Sequence, residues 1–210
     1  MEKVSKRGIL ILDFGSQYTQ LIARRIRECG VYSEILDAEC GEDLIADFNP
    51  SGIILSGGPE SVSSELLKAP DIVFTLGCPV LGICYGMQTM AVQLGGSVSL
   101  ASHQEFGHRH LSVLDQSGLF SDVTLDTVDG SDTPMLDVWM SHGDKVTQLP
   151  EGFVATAATD STPVAAMACR ERHFYGLQFH PEVTHTREGM NILSRFAIAV
   201  CGCDSNWKPG

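Results

Sequence analysis

Short apolar runs alternating with helical patterns constrain the fold of this chain more than any other feature of its sequence. GILIL (8–12), GIILS (52–56) and PVLGI (79–83) are continuously apolar or nearly so. A strand needs apolar residues at consecutive positions only when both of its faces are covered. After the first run, Leu21, Ile22 and Ile26, with Tyr18 and Cys29, recur at helical spacing, while Arg24, Arg25 and Arg27 mostly fall off that stripe. Gly30 stands where such a helix stops. VYSEIL (31–36), a short helix around Glu42–Phe48 and a helix from about Tyr85 to Leu94 continue the alternation. The pattern predicts an α/β domain, a mostly parallel sheet with helices on both faces. The second half has shorter strands between turn signals: HLSVL (110–114), FVATAAT (153–159), VAAMAC (164–169) and FYGLQF (174–179). These predict a smaller antiparallel or mixed sheet. A last helix is expected from about Glu188 to Val200, so that 1–203 form one domain and 204–210 a linker.

The sharpest chemical signal is the segment from Pro79 to Gln88. A buried strand ends in Gly82-Ile-Cys84-Tyr-Gly86, and a helix begins at once. This is the thiol counterpart of the G-x-S-x-G nucleophile elbow, in which small residues two before and two after allow a turn that exposes the central side chain. A helix N-terminus also favours the thiolate. The other six cysteines, at 29, 40, 78, 169, 201 and 203, lack this context. A thiol nucleophile needs a base, and Phe179-His180-Pro-Glu182 ends an apolar run 96 residues downstream. Pro181 biases His180 to extended backbone, in which residues i and i+2 point the same way. Glu182 then orients His180 toward Cys84, in the manner of a triad. Gly57-Gly58-Pro59 ends another strand and leaves bare backbone N–H groups at the sheet edge. One of these, with the N–H of Tyr85, can form an oxyanion hole.

Composition excludes several other roles. The chain has 210 residues and a net charge of −12, from 26 acidic and 14 basic side chains. Such a surface repels phosphate backbones and anionic headgroups, which argues against nucleic acid and membrane partners. The first apolar run has only five residues, too short for a signal peptide or membrane span, and unpaired cysteines fit a cytoplasmic protein. From His110 to Asp144 there are seven Asp and no Lys or Arg. Their spacing does not match a calcium loop. We read that stretch as solvated surface and expect no metal in the domain.

These motifs together resemble the class I, triad-type glutamine amidotransferases. The resemblance rests on Gly-Ile-Cys84-Tyr-Gly-Met-Gln88, Leu-Ser-Gly-Gly-Pro59 and Gln-Phe-His180-Pro-Glu182. Asp13-Phe-Gly-Ser-Gln-Tyr18, Met140-Ser-His-Gly-Asp144 and the Val-Thr-His185-Thr that follows Glu182 narrow it to the amidotransferase domains of GMP synthetases. It implies a flavodoxin-like sheet and hydrolysis of L-glutamine through a thioester on Cys84, with His180 and Glu182 completing the catalytic set. It further implies that Gly58 and Tyr85 supply the oxyanion N–H groups. Gly57, Gln88 and a turn of Ser141, His142, Gly143 and Asp144 would hold the glutamine. The segment 104–107 resembles a loop near the substrate. No cofactor is implied in this domain. ATP and magnesium belong to a separate ATP-pyrophosphatase domain that uses the ammonia to convert XMP to GMP, and its Ser-Gly-Gly-x-Asp-Ser loop does not occur here. An amidotransferase of another pathway, or a Cys-His-Glu peptidase of similar fold, stands as the alternative.

Overall fold

The computed structural model describes residues 7–58, 67–127 and 133–210. Pro59 of the glycine turn and part of the Asp-rich stretch lie outside the described residues. β1 (Ile9–Asp13), β2 (Ser33–Asp37), β3 (Gly52–Leu55), β4 (Val80–Ile83) and β10 (Phe174–Leu177) form a parallel set in the order β2-β1-β3-β4-β10. This is the flavodoxin-like order, with its ligand crevice outside the carboxyl ends of the strands. The apolar runs explain the layering. Successive side chains of a strand point to opposite faces, and both faces are packed. Ile9 and Ile11 join Ile22 and Ile26 of α1 (Thr19–Glu28) and Ile192 and Leu193 of α5 (Gly189–Ser194) in one core. Leu10 and Leu12 join Ile45 of α2 (Glu42–Phe48), Val73 of α3 (Ile72–Thr75) and Met87 and Met90 of α4 (Tyr85–Gln93) in the other. On α1 the buried stripe is Ile22, Ala23 and Ile26, with Leu21 half-buried. The last helix changes to a wider π-helical winding over Arg195–Val200.

The antiparallel half does not form a second sheet. β9 (Ala166–Cys169) pairs with β10, β8 (Val154–Ala158) with β9, and β5 (Ser97–Val113) with β8. β7 (Pro134–Gln148) and β6 (Asp126–Thr127) finish one continuous ten-stranded sheet. Two expectations need correction here. HLSVL is only the end of β5, a 17-residue strand whose inward positions include Glu105, so no apolar run betrays it. The Asp-rich stretch contains a short helical turn, Gly118–Phe120, and then β7, whose Leu136, Val138 and Met140 point into the core. Three of its acids are bound to other parts of the chain: Asp115 pairs with Arg170, Asp122 with Arg195 and Asp126 with Arg187. Past the last helix, Trp207 packs on Tyr32 and donates its N–H to the Gly30 carbonyl at 2.8 Å. No helix among the described residues is long and apolar enough to cross a membrane.

Candidate active site

β4 hands over to α4 through Cys84, whose φ of 53° and ψ of −109° lie outside the relaxed regions for a side chain other than glycine. The two flanking glycines make that turn feasible. A Cβ on Gly82 would stand 2.6 Å from the backbone of Gly86 and Met87, and one on Gly86 would stand 2.3 Å from the Leu55 carbonyl oxygen. Distances that short are forbidden between non-bonded heavy atoms, so the elbow depends on glycine at both positions. The Cys84 N–H donates to the Leu177 carbonyl of β10 at 2.7 Å, which ties the elbow to the neighbouring strand.

β10 also delivers the imidazole. Three residues beyond its end, His180 lines the same cleft as Cys84, whose thiol lies 3.5 Å from the Ser141 carbonyl, and the His180 Nδ1 lies 2.7 Å from Oε1 of Glu182. The chain bends here, yet the two side chains meet as the i, i+2 spacing requires. The His180 backbone is clamped on both sides: its N–H donates to the Trp139 carbonyl at 3.2 Å and its carbonyl accepts from the Thr186 hydroxyl at 2.6 Å. Gly57 leaves room for the ring, since a Cβ there would stand 3.2 Å from His180 Cε1. Burial of the imidazole lowers its pKa. The charge of the Glu182 carboxylate, the hydrogen bond that it accepts from the ring and the neighbouring Cys84 sulfur more than offset this and hold it well above the ordinary value of 6.5. Glu182 is itself buried, and its backbone carbonyl accepts from Arg25 Nε at 3.0 Å.

Ser141, His142, Gly143 and Asp144 are part of β7 and do not form the expected turn. Segment 104–107 lies on β5, opposite them, and is not a loop. The register slips between Leu100 and Glu105, so that β5 bulges where Gly143 passes. Gln88 donates to the Asp144 carbonyl at 3.1 Å and lies 3.3 Å from Oε1 of Gln178, whose amide points at the Cys84 sulfur at 3.6 Å. Gln178 is fully buried and was not singled out from the sequence. Glu105 entered there only as a member of segment 104–107, with no role of its own. Its carboxylate accepts from Thr162 at 2.7 Å, Ser161 at 2.8 Å and Thr159 at 3.0 Å, and faces His142 Nε2 at 3.0 Å. The other ring nitrogen of His142 faces the Asp144 carbonyl at 2.8 Å. Burial pushes the Glu105 pKa up, but His142 and the three hydroxyls outweigh it and bring the pKa from 4.5 to about 2. The available signal was the period-two pattern Leu136, Val138, Met140, which would have put His142 on the inward face of a strand.

A cleft of about 340 Å³ opens over the thiol, lined by Cys84, His180, Gly58, Tyr85, Gln88, Ser141 and His142, and by residues 15–18 on its far wall. Gly143 and Asp144 stand behind this lining, and Glu182 behind His180. Gly58 must be glycine here, because a Cβ would meet the Tyr85 ring at 2.8 Å. A buried thiol, imidazole and carboxylate in series at the carboxyl edge of a flavodoxin-like sheet is an arrangement capable of nucleophilic acyl transfer. The family profile of class-I glutamine amidotransferases matches residues 10–200. The chain belongs to that family.

Several relatives of this amidotransferase refine the comparison. It is 59% identical over 211 residues to the GMP synthase (glutamine-hydrolyzing) of Shewanella sp. (strain MR-7), and 58% identical over 208 residues to that of Coxiella burnetii (strain CbuG_Q212). The alignments cover 100% and 99% of the amidotransferase but only 40% of each relative, so the chain spans about two fifths of their length. Among solved structures, a GMP synthase subunit from Thermoplasma acidophilum superposes with a TM-score of 0.79 at 30% identity, over 95% of this chain and 96% of that one. A glutamine amidotransferase of Thermotoga maritima, at 20% identity and a TM-score of 0.64, shares the fold.

Proposed function

We propose that this chain is the glutaminase part of a GMP synthase and that Cys84, His180 and Glu182 carry the reaction. The single observation behind the assignment of roles is the Cys84–His180–Glu182 series on a glycine-dependent elbow, facing a cleft with room for an amino acid. The Cys84 sulfur attacks the side-chain amide carbon of glutamine, and its proton passes to His180. Backbone N–H groups of Gly58 and Tyr85 receive the developing oxyanion. Glu182 stabilises the imidazolium, which then protonates the departing amine. Ammonia leaves, and a γ-glutamyl thioester remains on Cys84. His180 next takes a proton from water, the hydroxide oxygen adds to the thioester carbonyl, and glutamate departs as the thiol is restored. Gln88 and the strand residues Ser141, His142, Gly143 and Asp144, with Gly57 beside them, shape the substrate end of the cleft.

The ammonia is used, on this reading, by an ATP-pyrophosphatase domain that binds ATP and magnesium and aminates XMP. Residues 204–210 begin the connection toward that partner, and seven cysteines outside any disulfide suit the reducing cytoplasm in which it works. The test joins the chain to an ATP-pyrophosphatase partner and measures GMP formed from XMP and ATP. With Cys84→Ala, amination driven by glutamine should vanish while amination driven by added ammonium persists. Glutamine-driven amination that survives Cys84→Ala would remove Cys84 from the mechanism. Failure of the parent pair with both nitrogen sources would remove XMP as the acceptor.

A further inference from the structure

We propose that His108, His110 and Asp137 form a surface site for one divalent cation of the zinc class. The register of β5 and β7 sets His110 opposite Asp137 and His108 opposite Trp139. Alternate residues of a strand share a face, so both imidazoles and the carboxylate project from the solvent side of this ribbon, while Leu111, Leu136 and Val138 fill its core side. Asp137 Oδ1 lies 3.1 Å from His108 Nε2 and 2.9 Å from His110 Nδ1. The three donor atoms all lie within 4.8 Å of one another. A tetrahedral ion with bonds of about 2.0–2.1 Å sets its ligand atoms about 3.4 Å apart. The histidine rings stand nearly perpendicular and about half exposed, so small rotations of exposed side chains bring the three donors to that spacing.

The donor set selects the ion. Two imidazole nitrogens and one carboxylate oxygen, with a fourth position open to water, suit Zn²⁺, Co²⁺ or Ni²⁺, whereas Ca²⁺ and Mg²⁺ take oxygen ligands. The local field favours any cation, because 110–144 contains seven Asp and no Lys or Arg. The arginines that reach this region are paired: Arg170, Arg195 and Arg187 with Asp115, Asp122 and Asp126, and Arg109, which stands between the two histidines with its side chain on the other face of β5, with Glu105. Reading the acidic stretch as solvated surface overlooked the site because His108 and His110 lie on β5 before and at its start, and only the pairing of β5 with β7 brings them to Asp137. The site also has a structural neighbour of consequence: two residues along β7 from Asp137, the Trp139 carbonyl accepts the His180 N–H. A bound ion would pin β5 to the strand that holds His180 in place.

The chain contains two tryptophans, and Trp207→Phe leaves Trp139 as the only indole, directly opposite His108. Titration of that variant with Co²⁺ should quench Trp139 fluorescence at one equivalent, and Zn²⁺ should compete the quenching away. In the same background His110→Ala and Asp137→Asn should each weaken Co²⁺ binding by at least about tenfold. Cysteine thiols also attract these ions, so the comparison of variants decides. The proposal is overturned if Co²⁺ leaves Trp139 unquenched, or if both variants titrate like their parent.

Discussion

Glu105→Gln removes one buried charge while keeping the side chain's shape, and it tests whether the β5–β7 network supports the glutamine end of the cleft. Glu105 is buried, with a side chain only 6% exposed, so solvent does little to screen its interactions. Its pKa falls from 4.5 unfolded to about 2 in the fold. At about 1.4 kcal/mol per pKa unit, that corresponds to about 3 kcal/mol of stability at neutral pH. The sign follows from a depressed pKa. The contribution is present above about 4.5, where the unfolded chain is also ionised, and is lost as pH falls toward about 2. Urea unfolding at pH 7 should therefore place the Glu105→Gln midpoint roughly 1 M below that of the parent. The gap should narrow as pH is lowered through the window between those two values. The same variant should raise KM for glutamine, because Glu105 holds His142, and His142 faces the Asp144 carbonyl that also receives Gln88. A stability difference below about 0.5 kcal/mol at pH 7, or a gap independent of pH, would refute this reasoning.

Three further outcomes are expected. His180→Ala should abolish glutamate release, whereas Glu182→Gln should retain some and move the pH–rate limb of His180 to lower pH, because it removes the carboxylate that holds that pKa up; an unmoved limb in rate assays would reject this division. Gly86→Ala should give little folded protein by circular dichroism, since its Cβ would meet the Leu55 carbonyl at 2.3 Å, and a native thermal transition for that variant would be inconsistent with the elbow geometry. The isolated chain should hydrolyse glutamine at least about a hundredfold more slowly than when joined to its partner with ATP and XMP, as expected if an oxyanion donor is misaimed until the partner binds. Equal steady-state glutamate release under the two conditions would exclude such coupling and leave the triad untouched.

The parallel half of the fold and the grouping of Cys84, His180 and Glu182 were legible because their causes are local. Continuous apolar runs report two covered faces, and Gly82-Ile-Cys84-Tyr-Gly86 reports a turn that larger residues cannot make. His180 and Glu182 sit two residues apart, so a contact between them needs no knowledge of the rest of the chain. The antiparallel half was less legible. β5 carries Glu105 on its inward face, and a buried carboxylate breaks the apolar pattern that would identify the strand. That carboxylate is tolerated only because Thr159, Ser161, Thr162 and His142 converge on it from separate segments, and such convergence leaves no trace in spacing. The same is true of Gln178, which touches both Gln88 and Cys84 across 90 and 94 residues. By itself, then, the sequence determined which thiol stands on the elbow, which imidazole and carboxylate pair with each other and which strands lie buried at the centre of the sheet. Tertiary structure alone decided that Ser141–Asp144 form a strand beside a bulge, that one sheet runs through both halves, and that His108, His110 and Asp137 face one another. Those outcomes depend on the register between distant strands, and register is set by the packing of the whole core.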